Sequence, residues 1–299
     1  MHDLKAMIKR DVKLFFKDKG MFFTSLITPL ILLVLYTTFL GNVYRDSFCS
    51  SLPQGISIPD KLINGFVGGE LCSSLLAVCC VTVAFCSNML MVQDKVYGSI
   101  KDLTITPVKK STLALGYYVS TMISTLIICL FALLIEFVYL AKIGWYLRLT
   151  DILQLLLDVF LLVMFGTVLS SVINVFLRTQ GQISAVGTIV SSAYGFVCGA
   201  YMPISTFAPG LQKVISFFPG TYATSLLRNH AMNGTFAELE SMGFPAEAIK
   251  GIRDSVDCNL YFFGHPVSEA IKYIVIIAAI AVLMAVYIGL NYKKRLDRA

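Results

Sequence analysis

Residues 93–110 read QDKVYGSIKDLTITPVKK, a polar stretch with one Gly, one Pro and six charges between apolar runs at about 62–92 and 111–141. How those two runs are read decides the fold. Each has about 31 residues, which as α-helix is roughly 46 Å long. A bilayer's hydrocarbon core is about 30 Å thick and needs about 20 residues to cross. Both runs are therefore long enough to cross and to project beyond the membrane, and their projecting ends meet at 93–110.

Further apolar runs occur at about 20–40, 152–177, 180–202 and 273–292. The chain is 57% hydrophobic and 14% charged, with a mean hydropathy of +0.76. Soluble domains carry about a quarter charged residues, so the composition places the chain in the membrane class. In lipid every backbone polar group must be bonded within the protein, which favours helices. The expected fold is an all-α membrane protein with six transmembrane helices. Residues 1–299 read as one membrane domain, without internal repeats or low-complexity tracts.

Orientation follows from basic residues beside the spans. Lys5, Lys9, Arg10, Lys13, Lys17 and Lys19 precede span one. Lys95, Lys101, Lys109 and Lys110 follow span two, Arg178 follows span four, and Lys293, Lys294, Arg295 and Arg298 close the chain. Fifteen of the 24 Lys and Arg thus fall on one side, on short segments. That side is expected to be the cytoplasm, holding both termini. The net charge of +6 is read as a topology signal, with no nucleic-acid partner. The run at 20–40 lacks a small-residue cleavage site, so no cleavable signal peptide is expected.

Residues 1–19 form a basic amphipathic segment suited to an interface helix. Leu4, Met7, Ile8, Val12, Leu14 and Phe15 gather on one side, while Lys5, Lys9, Arg10 and Lys13 gather on the other. Asp11 falls on the apolar side. Pro29 inside span one is expected to mark a kink. Trp145 and Tyr146 read as interface anchors. The segment 203–272 is the longest between spans. Its first part is broken by Pro203, Pro209 and Pro219 into runs too short to cross, so it is expected to form re-entrant or interfacial helices followed by a polar outside part.

No phosphate-binding loop, H-E-x-x-H or G-x-S-x-G is present, so neither ATP binding by that loop nor hydrolase chemistry has a visible site. No metal or cofactor is expected in this chain, and no catalytic residue. Of eight cysteines, six lie in apolar runs. Cys49 and Cys258 fall in predicted outside loops, where an oxidising compartment could pair them. Glu70, Glu136 and Asp158 lie inside apolar runs, toward the outer leaflet. Intramembrane carboxylates are functional candidates by default. They either reach the interface and pair with Lys61, Lys142 or Arg148, or line an exit path or couple protons.

The order Gln93-Asp94-Lys95, Gly98-Ser99, Asp102-Leu103, Thr106-Pro107 and then Leu115-Gly116 resembles the intracellular loop of type-2 ABC transporter permeases, of the type V exporter fold. The basic amphipathic start, six spans, and Phe218-Pro219-Gly220 followed by Leu227-Arg228 fit the same family. The resemblance implies an exporter's transmembrane subunit, not itself an enzyme. It would work as a pair of permeases, identical or paralogous, in a bacterial-type cell membrane. Cytoplasmic ABC ATPase subunits would bind ATP and Mg. Residues 93–110 would carry the coupling helix, with Asp94, Lys95, Gly98, Ser99, Lys101, Asp102, Leu103, Thr106 and Pro107 at the ATPase. The substrate path would lie between spans two and five of the two copies, lined by Phe85, Asn88, Ser191, Ser192, Tyr194 and Phe196. Relatives export drugs, lipids, peptide antibiotics or polysaccharides. Two other readings are a proton-coupled secondary transporter using Glu70, Glu136 and Asp158, and a membrane assembly or immunity protein.

Overall fold

The computed structural model describes residues 2–35, 38–39, 41–50, 58–105, 108 and 110–293. Thirteen helices dominate them, with one two-stranded hairpin. α1 (His2–Lys17) buries Met7, Asp11 and Phe15, one turn apart, against α7, and leaves Lys5, Lys9 and Lys13 exposed. Residues 2–17 are thus helical, with Asp11 on the buried face, the side on which the sequence places it. α2 (Lys19–Leu35) starts after Asp18, whose Oδ1 accepts the Met21 N–H at 3.1 Å, an N-cap bond. α1 and α2 meet at 73°. α2 runs through Pro29 without a break. α3 (Gly41–Ser50) leads toward α4.

α4 (Asp60–Ser87) is the centre of the bundle, surrounded by α2, α7, α8, α9 and α11. Such burial needs small residues where backbones touch. A Cβ on Gly69 would lie 2.8 Å from the Ala231 carbonyl oxygen, so only Gly permits that approach of α4 to α11. α4 ends at Asn88 and continues as α5 (Met89–Val96) and then α6 (Ser99–Ile105). α7 (Lys110–Ile143) has 34 residues, roughly 51 Å, and is overlong as its sequence requires. α8 (Leu149–Phe176) and α9 (Gln180–Val197) follow.

Four helical stretches are long and apolar enough to cross a membrane: Asp60–Val96, Ser111–Ile143, Leu149–Phe176 and Glu269–Asn291. A fifth is counted if α1 and α2 form one bent span. The structure therefore supports four to five crossings by length and composition, against six expected. α2 has only 17 residues. α9 has 18, diluted by Gln180, Gln182, Ser184, Thr188, Ser191 and Ser192. Many large apolar side chains nonetheless face outward, among them Ile271, Ile274 and Ile277. So much exposed apolar surface suits lipid rather than water.

Between α9 and α13 (Glu269–Lys293) lie α10 (Pro209–Ile215), α11 (Pro219–Ser241), α12 (Ala246–Ser255) and strands β1 (Leu260–Phe262) and β2 (His265–Val267). Pro209 and Pro219 each occupy the first turn of a helix, where the missing N–H costs no bond. They start helices instead of only breaking them. α11 is one helix of 23 residues, packed among α4, α8 and α13.

Candidate functional site

The loop that joins the two overlong helices is built around a turn at Gly98. Its φ of +84° is the left-handed conformation that Gly adopts without penalty. α6 leaves that turn with Ile100 buried and Leu103 half-buried against Met7, Met91, Leu113 and Tyr117. Ser99 is half-buried. Lys101 and Asp102 are exposed, Ile105 is 83% exposed, and Tyr97 on the turn is 74% exposed. α6 is therefore anchored on one face and open on the other. Thr106, Pro107 and Lys109 lie outside the described residues, as do Lys294, Arg295 and Arg298.

Asp94 and Lys95, expected at a partner's surface, are used inside the chain instead. Arg10 of α1 donates twice to Asp94, at 3.0 and 3.1 Å, and once to Asp11 at 2.8 Å. Tyr117 of α7 donates to Asp94 at 2.6 Å, and Ser120 donates to Asp11 at 3.4 Å. Asp94 is only 6% exposed. The fork of Arg on one carboxylate is the strong, oriented form of ion pair, and it clamps α1, α5 and α7 together. Burial pushes the Asp11 carboxyl up to about 6, outweighing the pull of Arg10. Lys95 Nζ donates to the Asn174 carbonyl at 2.9 Å. That places a cation at the C-terminus of α8, where the helix dipole favours it.

A groove of about 1040 Å³ lies between α2, the start of α5 and α9. Ser191, Ser192 and Phe196 line it, opposite Ile27, Ile31 and Leu35 of α2. Thr188 and Ser192 donate their hydroxyls to carbonyls one turn back, at 2.9 and 2.8 Å, so these two hydroxyls are turned onto their own helix. Phe85, Asn88 and Tyr194 do not line this groove; they are 4%, 0% and 6% exposed. Asn88 donates to Ser170 and Ser171, each at 2.9 Å, and its carbonyl takes Asn174 at 3.1 Å. It stitches the α4–α5 break to α8. Tyr194 packs on Phe218.

The three apolar-run acids are buried, and none is bonded to Lys61, Lys142 or Arg148 among the described residues. Asp158 accepts from Tyr273 at 2.8 Å and shares a 2.5 Å hydrogen bond with His230 Nδ1. Glu136 accepts from Cys72 at 2.8 Å. Glu70 lies in the field of Arg228 and Asp257. No bond links one of these acids to another among the described residues. The sequence reading missed their partners, two of which, Arg228 and His230, come from α11. Arg228 is wholly buried and donates to Val256, Asp257, Ser74 and Gly199 at 3.1, 3.1, 3.3 and 2.7 Å. Lys272 and Asn229 both bond the Cys258 carbonyl, at 2.8 and 2.6 Å. Burial pushes the Asp257 carboxyl up while Arg228 pulls it down. Adjacent Arg228-Asn229-His230 is the sequence signal for this core, since three such residues cannot all be buried without partners. Cys258 is a buried free thiol, and Cys49's side chain lies outside the described residues.

A comparison with curated proteins gives no match. A family model does match, described as ABC-2 type transporter, over residues 2–231. Permeases of that family normally work with ATP-binding ABC subunits. The matched residues run from α1 through the clamp, the α5–α6 turn and the groove into the middle of α11. The chain is a multi-pass membrane protein and belongs to the ABC-2 type transporter family, as a transmembrane permease.

Proposed function

We propose that this permease is the transmembrane subunit of an ATP-driven exporter that pairs with a second permease and couples to separate cytoplasmic ATPase subunits through α6. ATP and Mg belong to those subunits, and this chain binds neither. The observation that carries the reading is the two-faced α6: Ile100 and Leu103 hold it to the bundle, while Lys101, Asp102, Ile105 and nearby Tyr97 face outward. An exposed Ile and Tyr flanked by charges form a surface a cleft can grip and release. On this reading the spans number six, with α2 and α9 completing the set, and both termini lie on the cytoplasmic side with α6. α1 lies in the interface plane beside α6, with Lys5, Lys9 and Lys13 toward the headgroups.

The groove between α2 and α9 contributes to the translocation path, with Ser191, Ser192 and Phe196 on its wall. A second copy, identical or paralogous, closes it. Residues 203–272 cap the outer end.

The test is recovery of an ATPase subunit with the tagged chain from membranes, alongside Asp102→Lys, Ile105→Asp and Gly98→Pro. The expected outcome is ATPase recovery by the native chain and its loss in the three variants, with export failing in parallel. Recovery of no ATPase by the native chain, or full export by all three variants, overturns the reading.

A further inference from the structure

At the end of the bundle opposite α6, an aromatic patch is assembled from two separate segments. α10 turns Leu211 and Val214 outward at 46% and 68% exposure, and Phe217, in the turn just past its end, is 66% exposed. The β1–β2 hairpin brings its tip against Phe217. Phe262 and Phe263 meet Phe217 edge to face with ring centroids 5.3 and 5.9 Å apart, and each other in the same way at 4.8 Å. Lys213 stands 5.9 Å over the Phe263 ring.

The tip itself is unusual. Its strands pair Phe262 with His265, leaving Phe263 and Gly264 as a two-residue turn with φ of +49° and +86°. Turns of this hand favour Asn-Gly or Asp-Gly, because the first position must also take positive φ. Phe is a poor choice there, since its Cβ crowds the backbone in that conformation. Among the described residues only Asp257 and Phe263 adopt positive φ without being Gly. Despite its contacts with Phe217, Phe262 and Lys213, Phe263 stays 55% exposed. A side chain that strains its turn and remains half outside is placed for a contact beyond the chain.

The surroundings identify that contact. β2 ends at Val267 and α13 begins at Glu269, so the tip is a few residues from the start of a membrane span. The other end of α13 is near α6, where Tyr287 donates to the Ala114 carbonyl at 3.0 Å. The first turns of α13 carry exposed Ile271, Ile274 and Ile277. The patch thus adjoins surface that faces lipid. Aromatic rings with a Lys beside them are the composition of the headgroup boundary.

We propose that the α10 face and the hairpin tip form one lipid anchor, set in the headgroup–acyl boundary of the leaflet opposite α6. Leu211, Val214, Phe217 and Phe263 dip into the acyl region, and Lys213 reaches the phosphates. The anchor ties the start of α11, and with it Arg228, to the bilayer surface. The proposal does not depend on the direction of transport or on an ATPase partner.

The test uses the chain's single Trp. In a Trp145→Phe background, Phe263→Trp supplies one reporter, and Val214→Trp supplies a second if the turn does not accept Trp. Each variant is reconstituted in phosphatidylcholine vesicles with and without bromine on the upper acyl carbons. The expected result is loss of most emission in the brominated vesicles and little quenching by acrylamide. Strong acrylamide quenching without bromolipid quenching would show a patch in water and overturn the proposal. Protection from both quenchers would show a protein surface covering it, which overturns it equally. Phe263→Asn supplies the converse test: it relaxes the turn, and in the Val214→Trp reporter it should reduce quenching by bromolipid. Unchanged quenching there removes Phe263 from the anchor.

Discussion

The clamp of Arg10, Asp94 and Tyr117 makes the sharpest energetic prediction. Its two Arg10–Asp94 bonds, at 3.0 and 3.1 Å, join a side chain that is 33% exposed to one that is 8% exposed. A fully exposed pair would contribute about 0.2–1 kcal/mol. Breaking a fully buried one would cost about 3–5 kcal/mol. Hydrogen bonds to charged groups contribute about 1.5–3 kcal/mol, and the one-third exposure of Arg10 favours the lower part of that range. The coupling energy between Arg10→Ala and Asp94→Asn should therefore be about 2 kcal/mol. Arg10→Ala alone should cost somewhat more, about 3 kcal/mol, because it leaves Asp94 with Tyr117 as its bonded donor and also removes the cation beside Asp11. Unfolding midpoints of the two single variants and the double variant in lipid nanodiscs supply the cycle, and proteolysis of the N-terminal helix reports whether α1 has come loose. The same cycle separates two roles for Asp94. If Asp94 acts through the clamp, Asp94→Asn adds little to the loss of ATPase association already caused by Arg10→Ala. A coupling energy below about 0.5 kcal/mol, or an undiminished effect of Asp94→Asn in the Arg10→Ala background, refutes the reasoning.

Three other substitutions test other parts of the fold. Arg228→Met strands Asp257 and two carbonyls in the core, and should lower stability by about 3–5 kcal/mol; thermal unfolding equal to that of the native chain would count against the network. Gly69→Val forces α4 away from the Ala231 carbonyl, 2.8 Å from the position of its Cβ, and should cost about 1–3 kcal/mol by overpacking, read as a lower unfolding midpoint. Asp11 is raised from 3.8 to about 6, so the folded state holds its proton more tightly than the unfolded chain does. That contribution is present at low pH and disappears as pH rises from about 4 to about 6, a difference of roughly 3 kcal/mol. The stability advantage of Asp11→Asn over the native chain should grow across that window; a difference that stays flat with pH would sink the assignment.

The long spans were legible because they need only length and the absence of charge. The 93–110 break was legible for the same reason, and Gly98 announced its turn. The sequence could not show which charges of that stretch remain outside. Asp94 and Lys95 sit in the same polar run as Lys101 and Asp102, yet their partners, Arg10, Tyr117 and Asn174, lie up to 84 residues away. α11 was hidden for a different reason. Its residues are too mixed for an apolar run, so Pro219 read as a break. Burial of Arg228, Asn229 and His230 rests on Asp257 and Cys258 in one distant segment and Asp158 in another. Phe85, Asn88 and Tyr194 show the limit of assigning a path by helix number, since one helix has several faces and these residues face the chain's own core.

The division of charge around α6 bears on how a push there would travel. α5 spends its two charged side chains inward, Asp94 on Arg10 of α1 and Tyr117 of α7, Lys95 on the last turn of α8. α6 keeps Lys101 and Asp102 outward. A partner gripping α6 would therefore load, through the Gly98 turn, α5, which is already fastened at three points. One of those points, the end of α8, is joined to α9 by the three residues Leu177–Thr179. α9 is also the wall of the groove, and its Thr188 and Ser192 hydroxyls bond their own helix. Among the described residues no side-chain bond from these hydroxyls ties that wall to α2. The Asn88 links to Ser170 and Ser171 hold α4 to α8, away from that groove.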